Sequence, residues 1–322
     1  MSPFQCCAVV GAGLMGTQIA VALAAGVEQV RLFDSDTASL DRAFEVAKTY
    51  VDELASHDFL GGQSPAERIG RIVPDRDLET AVDGADLVVE AIFEDVAAKQ
   101  ALFKDLDAIA PPTTILASNS SSLPTGQLAS VCEYPGRVVG THFLLPAHIL
   151  PLVEVIRHAH SDPDCVDRTF AGLQAIGKSP IRVNLDVPGF VSNRLQHALT
   201  RQAVELVARG VASAEDVDNA VRHGFGLRLT TLGPLGVRDI SDIRIHARVA
   251  ENMYADLDAK EALAVDALRE HVHRGNHGIS SGQGFFEWTG DRDAVRAYHY
   301  GHMIEQTRRV IAAGPIRTGD ET

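Results

Sequence analysis

The sequence predicts an α/β fold: a doubly wound parallel sheet domain followed by an all-α domain. Three observations predict it. Short Val-, Ile- and Leu-rich runs alternate with helical patterns through the first half of the chain. A glycine-rich turn joins the first such run to the first helical stretch. From Pro188 onward the β-rich runs give way to helical periodicity over most of what remains.

Residues 6–10 (CCAVV) form the first strand-like run, and further runs follow at 27–33, 87–90, 114–117, 138–141 and 153–156. Helix-like stretches at 15–25, 37–54 and 96–109 lie between several of them, and another at 163–176 follows the last. Such alternation makes βαβ units, which set strands parallel and cover both faces of the sheet. Residues 58–66 (DFLGGQSPA) break the pattern as a surface loop. Asp186 and Pro188 stand where an N-cap and a first-turn proline belong. The helix they open carries Val191, Leu195, Ala198, Leu199 and Leu206 near one stripe and ends at Gly210. Ser213 then begins a capping-box-like S-A-E-D, and its helix directs Val217, Ala220 and Val221 inward. The expected domains are 1–187, the sheet domain, and 188–322, the helical one.

The whole chain narrows the possible partners. Its 322 residues are enough for two domains, and 45% hydrophobic with 22% charged residues is the balance of a globular protein. No run approaches the roughly 18 apolar residues of a membrane span. The first five residues lack the basic segment of a signal peptide, so the expected compartment is the cytoplasm. A net charge of -14 repels nucleic acid and anionic lipid, so neither is expected as a partner. Cys6, Cys7, Cys132 and Cys165 form no CxxC pair and read as free thiols. No metal is expected.

The first strand runs directly into Gly11-Ala12-Gly13-Leu14-Met15-Gly16, a GxGxxG turn between a strand and a helix. Gly11 permits the tight turn, Gly13 lets the backbone approach a pyrophosphate, and Gly16 lets the helix pack against the strand. The helix N-terminus then offers unpaired N–H groups and partial positive charge to the phosphates, here through Leu14 and Met15. The second strand delivers Asp34, eighteen residues after Gly16, where an acid accepts hydrogen bonds from both ribose hydroxyls. Asp34 also repels a 2′-phosphate, so the expected cofactor is NAD rather than NADP. A sheet domain with this turn is Rossmann-type.

Four further segments carry a family resemblance: VVEAIFEDVAAKQALF (88–103), LASNSSSLP (116–124), GTHFLLPAHILPLVEVI (140–156) and DVPGFVSNRL (186–195). In this combination and order the chain resembles the L-3-hydroxyacyl-CoA dehydrogenase family, including its lambda-crystallin and L-gulonate dehydrogenase-like branch. The resemblance implies NAD-dependent oxidation of a 3-hydroxyl to a ketone. It implies that His142 is the general base and that Glu154 pairs with it, fixing its tautomer. Histidine suits the role, since its ordinary pKa of about 6.5 lies near neutrality. Ser121 and Asn193 match the family residues that hydrogen-bond the substrate oxygen. Glu94, Lys99 and Asn119 match positions near the nicotinamide ribose. The resemblance also implies a homodimer formed through the helical domain.

The sequence departs from the family at two places. The usual H-x-x-N-P is here His142-Phe143-Leu144-Leu145-Pro146, with Leu145 in place of an amide; either His148 or a water makes up its hydrogen bonds or the substrate differs there, and otherwise His148 reads as a surface histidine. In the C-terminal G-x-K-[ST]-G-x-G-F pattern, Ser280 replaces the common lysine. The helix at 37–54 carries Arg42 and Lys48 against Asp41, Glu45, Asp52 and Glu53, a poor cradle for the phosphates of CoA. Arg228, in Gly224-Phe225-Gly226-Leu227-Arg228, offers a bidentate partner for a free carboxylate. The expected substrate is therefore a free 3-hydroxy acid. The alternatives are a short acyl-CoA thioester, or a non-catalytic crystallin-like or nucleotide-sensing protein.

Overall fold

We describe a computed structural model of the chain over residues 4–240, 248–249, 251, 253, 257, 270–276, 281–285 and 287–313. It divides into two compact units, Met1–Asn193 and Arg194–Thr322.

The first unit is built on one eight-stranded sheet. Its strands are β1 (Cys6–Val10), β2 (Gln29–Phe33), β3 (Ile72–Asp75), β4 (Leu87–Glu90), β5 (Ile115–Ser118), β6 (Val138–Phe143), β7 (Leu152–Ile156) and β8 (Ser179–Val183), in the order β3-β2-β1-β4-β5-β6-β7-β8. The chain winds outward from β1 in both directions, so a crevice opens beyond the carboxyl ends of β1 and β4, where doubly wound sheets receive ligands. Its helices are α1 (Leu14–Leu23), α2 (Thr37–Ser56), α3 (Pro65–Gly70), α4 (Leu78–Val82), α5 (Val96–Ile109), α6 (Thr125–Ala129) and α7 (Pro163–Ala175). Every residue of β4 and β5 is buried, as strands covered on both faces require. Val88 and Leu116 pack with Phe103 and Leu106 of α5 and Leu128 of α6 in a single apolar cluster. Each such side chain contributes about 1.5–3 kcal/mol by leaving water. The four cysteines are free and lie buried or half-buried.

Three expectations change. The sheet is not wholly parallel, because β7 runs antiparallel to β6. The connection between them, residues 144–151, is shorter than the dozen or so residues a parallel crossover needs, so the chain folds straight back. Two strands, β3 and β8, lie where the sequence reads none. Both are edge strands and each contains a proline, Pro74 and Pro180, which weakens a strand signal and is tolerated only at an edge. The loop at 58–66 ends in α3, whose Ser64 and Glu67 form a reciprocal capping box.

The helix expected from Pro188 begins later. The next helices are α8 (Ser192–Ala208), α9 (Ala214–Ala220), α10 (Gly226–Ile240) and α11 (Arg292–Ala313). Gly189 and Phe190 have φ of 76° and 48°, left-handed values that no α-helix admits, so residues 188–191 form a turn. Asp186 is accordingly no N-cap. Its Oδ2 accepts from Gly126 N at 2.7 Å instead.

In the second unit Ser213 caps α9 as expected, accepting from Asp216 N. Val217 and Val221 are half-buried and line an apolar cavity of about 500 Å³ with Leu199, Val204, Phe285 and Trp288, whereas Ala220 is exposed. The expected inward stripe of α8 is largely open: Leu195, Ala198 and Leu199 are exposed and Leu206 is half-buried.

Candidate active site

The glycine turn follows β1 and opens α1. Gly11 has φ 107°, and a Cβ there would sit 2.7 Å from Ala91 O. A Cβ on Gly16 would lie 1.8 Å from Gly11 O, so the turn and the helix can touch only without one. Gly13 is different. Its φ is -74°, which any residue adopts, and a Cβ there would meet no protein atom within 4 Å. Packing within the protein does not demand glycine at 13; a cofactor phosphate laid against the backbone does. The first turn of α1, including Leu14 and Met15, has no side-chain cap, so its N–H groups face outward unpaired by side chains. Asp34 closes this end. Its Oδ2 accepts from Ala12 N at 2.7 Å and its Oδ1 from Asp36 N at 2.9 Å, which fixes the carboxylate beside the turn. The open cradle, the uncapped helix and the fixed acid fit an NAD molecule.

Beyond β4 and β5 lies a buried ionic network that sequence reasoning only partly found. Glu90, the last residue of β4, is fully buried. Its Oε1 accepts from Lys99 Nζ at 2.5 Å and from Ile92 N at 2.8 Å, and its Oε2 from Ser118 Oγ at 2.8 Å. Burial pushes the Glu90 carboxyl above the usual range, against the pull of the Lys99 ammonium and the hydrogen bonds. Lys99 also lies 3.3 Å from Glu94 Oε2. The other Glu94 oxygen gathers the serine loop. It accepts from Ser120 Oγ at 2.5 Å, Ser121 N at 3.2 Å, Ser122 N at 3.1 Å and Ser122 Oγ at 3.0 Å. Burial opposes the Glu94 charge, but the Ser120 hydrogen bond and Lys99 outweigh it and hold the carboxyl below the usual range. Asn119 Oδ1 accepts from Phe143 N at 2.9 Å, tying this loop to the end of β6.

His142 on β6 and Glu154 on β7 are direct cross-strand partners. His142 Nδ1 lies 2.6 Å from Glu154 Oε2, and both side chains are buried. An ionised carboxylate only accepts, so Nδ1 carries a proton, and in the neutral ring the lone pair is on Nε2. Glu154 Oε1 accepts from Val191 N and Ser192 N, each at 2.9 Å, where α8 begins. Burial works against the Glu154 charge, yet the His142 hydrogen bond and these two amides hold its carboxyl below the usual range. Phe190, buried in the left-handed turn, packs on the imidazole at 5.6 Å between ring centres. Asn193 Nδ2 donates to Ser121 O at 3.2 Å.

The structure thus brings His142, Glu154, Ser121, Asn193, Asn119, Glu94 and Lys99 into one continuous set of contacts. Glu90, Ser118, Ser120 and Phe190 join them. A carboxylate ending an otherwise apolar strand, VVE, was the available signal for Glu90; Phe190 gave none, because its role depends on the turn. Arg228 lies in the second unit, exposed on α10. Ser280 lies outside the described residues. His148 is no surface histidine. It is 5% exposed, stacks on Tyr50 at 4.4 Å and lies 3.7 Å from Glu53 Oε2, turned toward α2. Among the described residues no cluster of His, Cys, Asp or Glu could hold a metal, and no helix is long and apolar enough to cross a membrane.

A dinucleotide cradle at one end of this crevice and an imidazole held by a carboxylate at the other define an NAD-dependent oxidoreductase. Residues 6–187 match the family profile described as 3-hydroxyacyl-CoA dehydrogenase, NAD binding domain, and residues 189–288 match 3-hydroxyacyl-CoA dehydrogenase, C-terminal domain. The chain belongs to the 3-hydroxyacyl-CoA dehydrogenase family. It is 35% identical over 317 residues, 98% of each chain, to 5-formyl-3-hydroxy-2-methylpyridine 4-carboxylate 5-dehydrogenase of Mesorhizobium japonicum. A crystal structure described as 5-formyl-3-hydroxy-2-methylpyridine 4-carboxylic acid 5-dehydrogenase, an NAD+ dependent dismutase, superposes with a TM-score of 0.85 at 34% identity. It covers 97% of this chain and 99% of that one. A probable 3-hydroxybutyryl-CoA dehydrogenase of Bacillus subtilis is 36% identical over 280 residues, 87% of this chain and 96% of the relative.

Proposed function

We propose that this enzyme interconverts a free 3-hydroxy acid and its 3-keto form. The observation that carries the chemistry is the His142–Glu154 pair, which leaves Nε2 as the one ring nitrogen free to take a proton. NAD, when bound, would supply the acceptor for the hydride of the carbinol carbon. Gly11, Gly13, Leu14, Met15 and Gly16 would hold its pyrophosphate, Asp34 its adenosine ribose, and Glu94, Lys99 and Asn119 its nicotinamide ribose. His142 Nε2 takes the hydroxyl proton as the ketone forms. Glu154 stabilises the resulting imidazolium through Nδ1. The Ser121 hydroxyl and the Asn193 amide hydrogen-bond the substrate oxygen and orient it.

The choice of a free acid rests on α2. Arg42 lies 3.6 Å from Asp36, and Lys48 lies 2.7 Å from Glu45, so the cations of that helix are engaged by acids and are not spare for CoA phosphates. The pyridine-carboxylate relative, matched over almost all of both chains, points the same way. The acyl-CoA reading is favoured by the 3-hydroxybutyryl-CoA relative. Assays with NADH and either acetoacetyl-CoA or a panel of free 3-keto acids separate the two. Turnover of free acids alone is expected; turnover of the thioester alone overturns the proposal, and no turnover at all supports a retired protein. We further propose a cytoplasmic homodimer associating through the second unit, where α8 exposes Leu195 and Leu199. Light scattering at a dimer mass is the expected result.

A further inference from the structure

Within residues 141–150 every position is buried or half-buried except Leu145, which is 51% exposed. Its exposure is built, because the loop that carries it is fastened from behind. Ala147 N donates to Gln18 Oε1 at 2.7 Å, and Gln18 is itself buried on α1. Lys178 Nζ donates to Ala147 O at 2.7 Å and to Leu150 O at 2.8 Å. Ile149 N and Leu150 N both donate to Pro146 O. His148 is stacked beneath on Tyr50. A wall held this way is preset for a ligand rather than shaped by it.

The fastening also locates Leu145. It follows the base His142 by three residues and precedes by two the residue tied to α1, the helix of the glycine turn. It therefore lies in the stretch that leaves the carboxyl end of β6 just after His142 and runs to the residue tied to α1. An isobutyl group there offers no hydrogen bond, and His148 cannot stand in, since its ring is buried toward α2. A substrate hydroxyl brought against Leu145 loses its water and gains no partner, whereas an aromatic or alkyl face loses nothing.

We infer that Leu145 is a specificity-determining residue, selecting 3-hydroxy acids with an apolar or aromatic skeleton beside the reacting carbon over polyhydroxylated sugar acids. This rests on the free-acid reading above. Discrimination by one such contact is roughly 10–100-fold. The test compares kcat/KM with NAD for 3-hydroxy-3-phenylpropanoate and for L-gulonate, in wild type, Leu145→Asn and Leu145→Met, with 3-hydroxybutyryl-CoA as a third substrate. Wild type and Leu145→Met should both prefer the aryl acid. In Leu145→Asn the preference should shrink by roughly 10–100-fold with KM for NAD unchanged. A preference within threefold of wild type in Leu145→Asn, or a wild type that prefers L-gulonate, overturns the inference alone. Turnover of only the thioester by all three proteins overturns the free-acid reading, and the inference with it.

Discussion

His142 and Glu154 face each other across two antiparallel strands as a single register pair, and their side chains meet with Nδ1 2.6 Å from Oε2. Directly opposed residues lie about 4.5–5.5 Å apart at Cβ, so the strand register itself delivers the contact. A slip of one residue would turn Glu154 to the other face of the sheet. The short return of residues 144–151, which denies β7 a parallel crossover, is therefore what makes the pair possible.

His142→Ala should lower kcat by roughly 10²–10⁴-fold while leaving the NADH dissociation constant near that of wild type. Steady-state rates and a fluorescence titration measure the two quantities. A variant with near-wild-type turnover would remove His142 from the role of base.

Glu154 gives the pH dependence a definite sign. Its carboxyl is held below its ordinary value of 4.5, so on acidification the unfolded chain takes up the proton first. The stabilisation from its bonds to His142, Val191 and Ser192 is complete above about pH 4.5 and is lost as pH falls through the lower folded value. Glu154→Gln removes this titration. Urea unfolding should show a wild-type advantage that is constant near neutrality and shrinks below pH 4.5. An advantage undiminished at the acid end would contradict the assignment.

The glycine turn separates a ligand constraint from a folding constraint. A valine at position 13 adopts the existing φ and meets no protein atom with its Cβ, so Gly13→Val should keep the wild-type melting temperature. The same side chain fills the place of the pyrophosphate, so NAD should no longer raise that temperature. Gly16→Ala should instead destabilise the apo protein, because its Cβ falls 1.8 Å from Gly11 O. Thermal melts with and without NAD distinguish these outcomes; normal NAD binding by Gly13→Val would mean the phosphates lie elsewhere.

What the sequence made legible was whatever has a short-range signature. β1, β4 and α5 lie at the residues their patterns predicted, because apolar runs and amphipathic spacing are local. The Ser213 cap was legible for the same reason. β3 and β8 escaped because edge strands are short and admit proline, and those properties erase the signal. Motif names His142 and Glu154, but their antiparallel pairing depends on the length of the connection between β6 and β7. The turn at Gly189 and Phe190 looks like a helix start in sequence, because Asp186 and Pro188 imitate a cap, yet Asp186 accepts from Gly126 N. The burial of His148 was invisible, as it depends on Tyr50 and Glu53, distant in the chain.

Lys99 tests whether the buried network serves stability, cofactor binding or both. Its ammonium faces Glu90 at 2.5 Å and Glu94 at 3.3 Å, with both the Lys99 and Glu90 side chains at 1% exposure or less. Removing one partner of a buried pair leaves the other charge unanswered, a cost of about 3–5 kcal/mol, whereas removing both with apolar replacements is close to neutral. Lys99→Met should therefore lower the melting temperature strongly, and adding Glu90→Leu should recover most of that loss. NAD affinity should behave differently. Lys99 also holds Glu94, and Glu94 holds the Ser120 hydroxyl and the Ser121 and Ser122 amides, so the double variant should keep a raised KM for NAD even where its stability has returned. Recovery of both quantities together would make the network purely structural; recovery of stability without affinity assigns Lys99 to the cofactor.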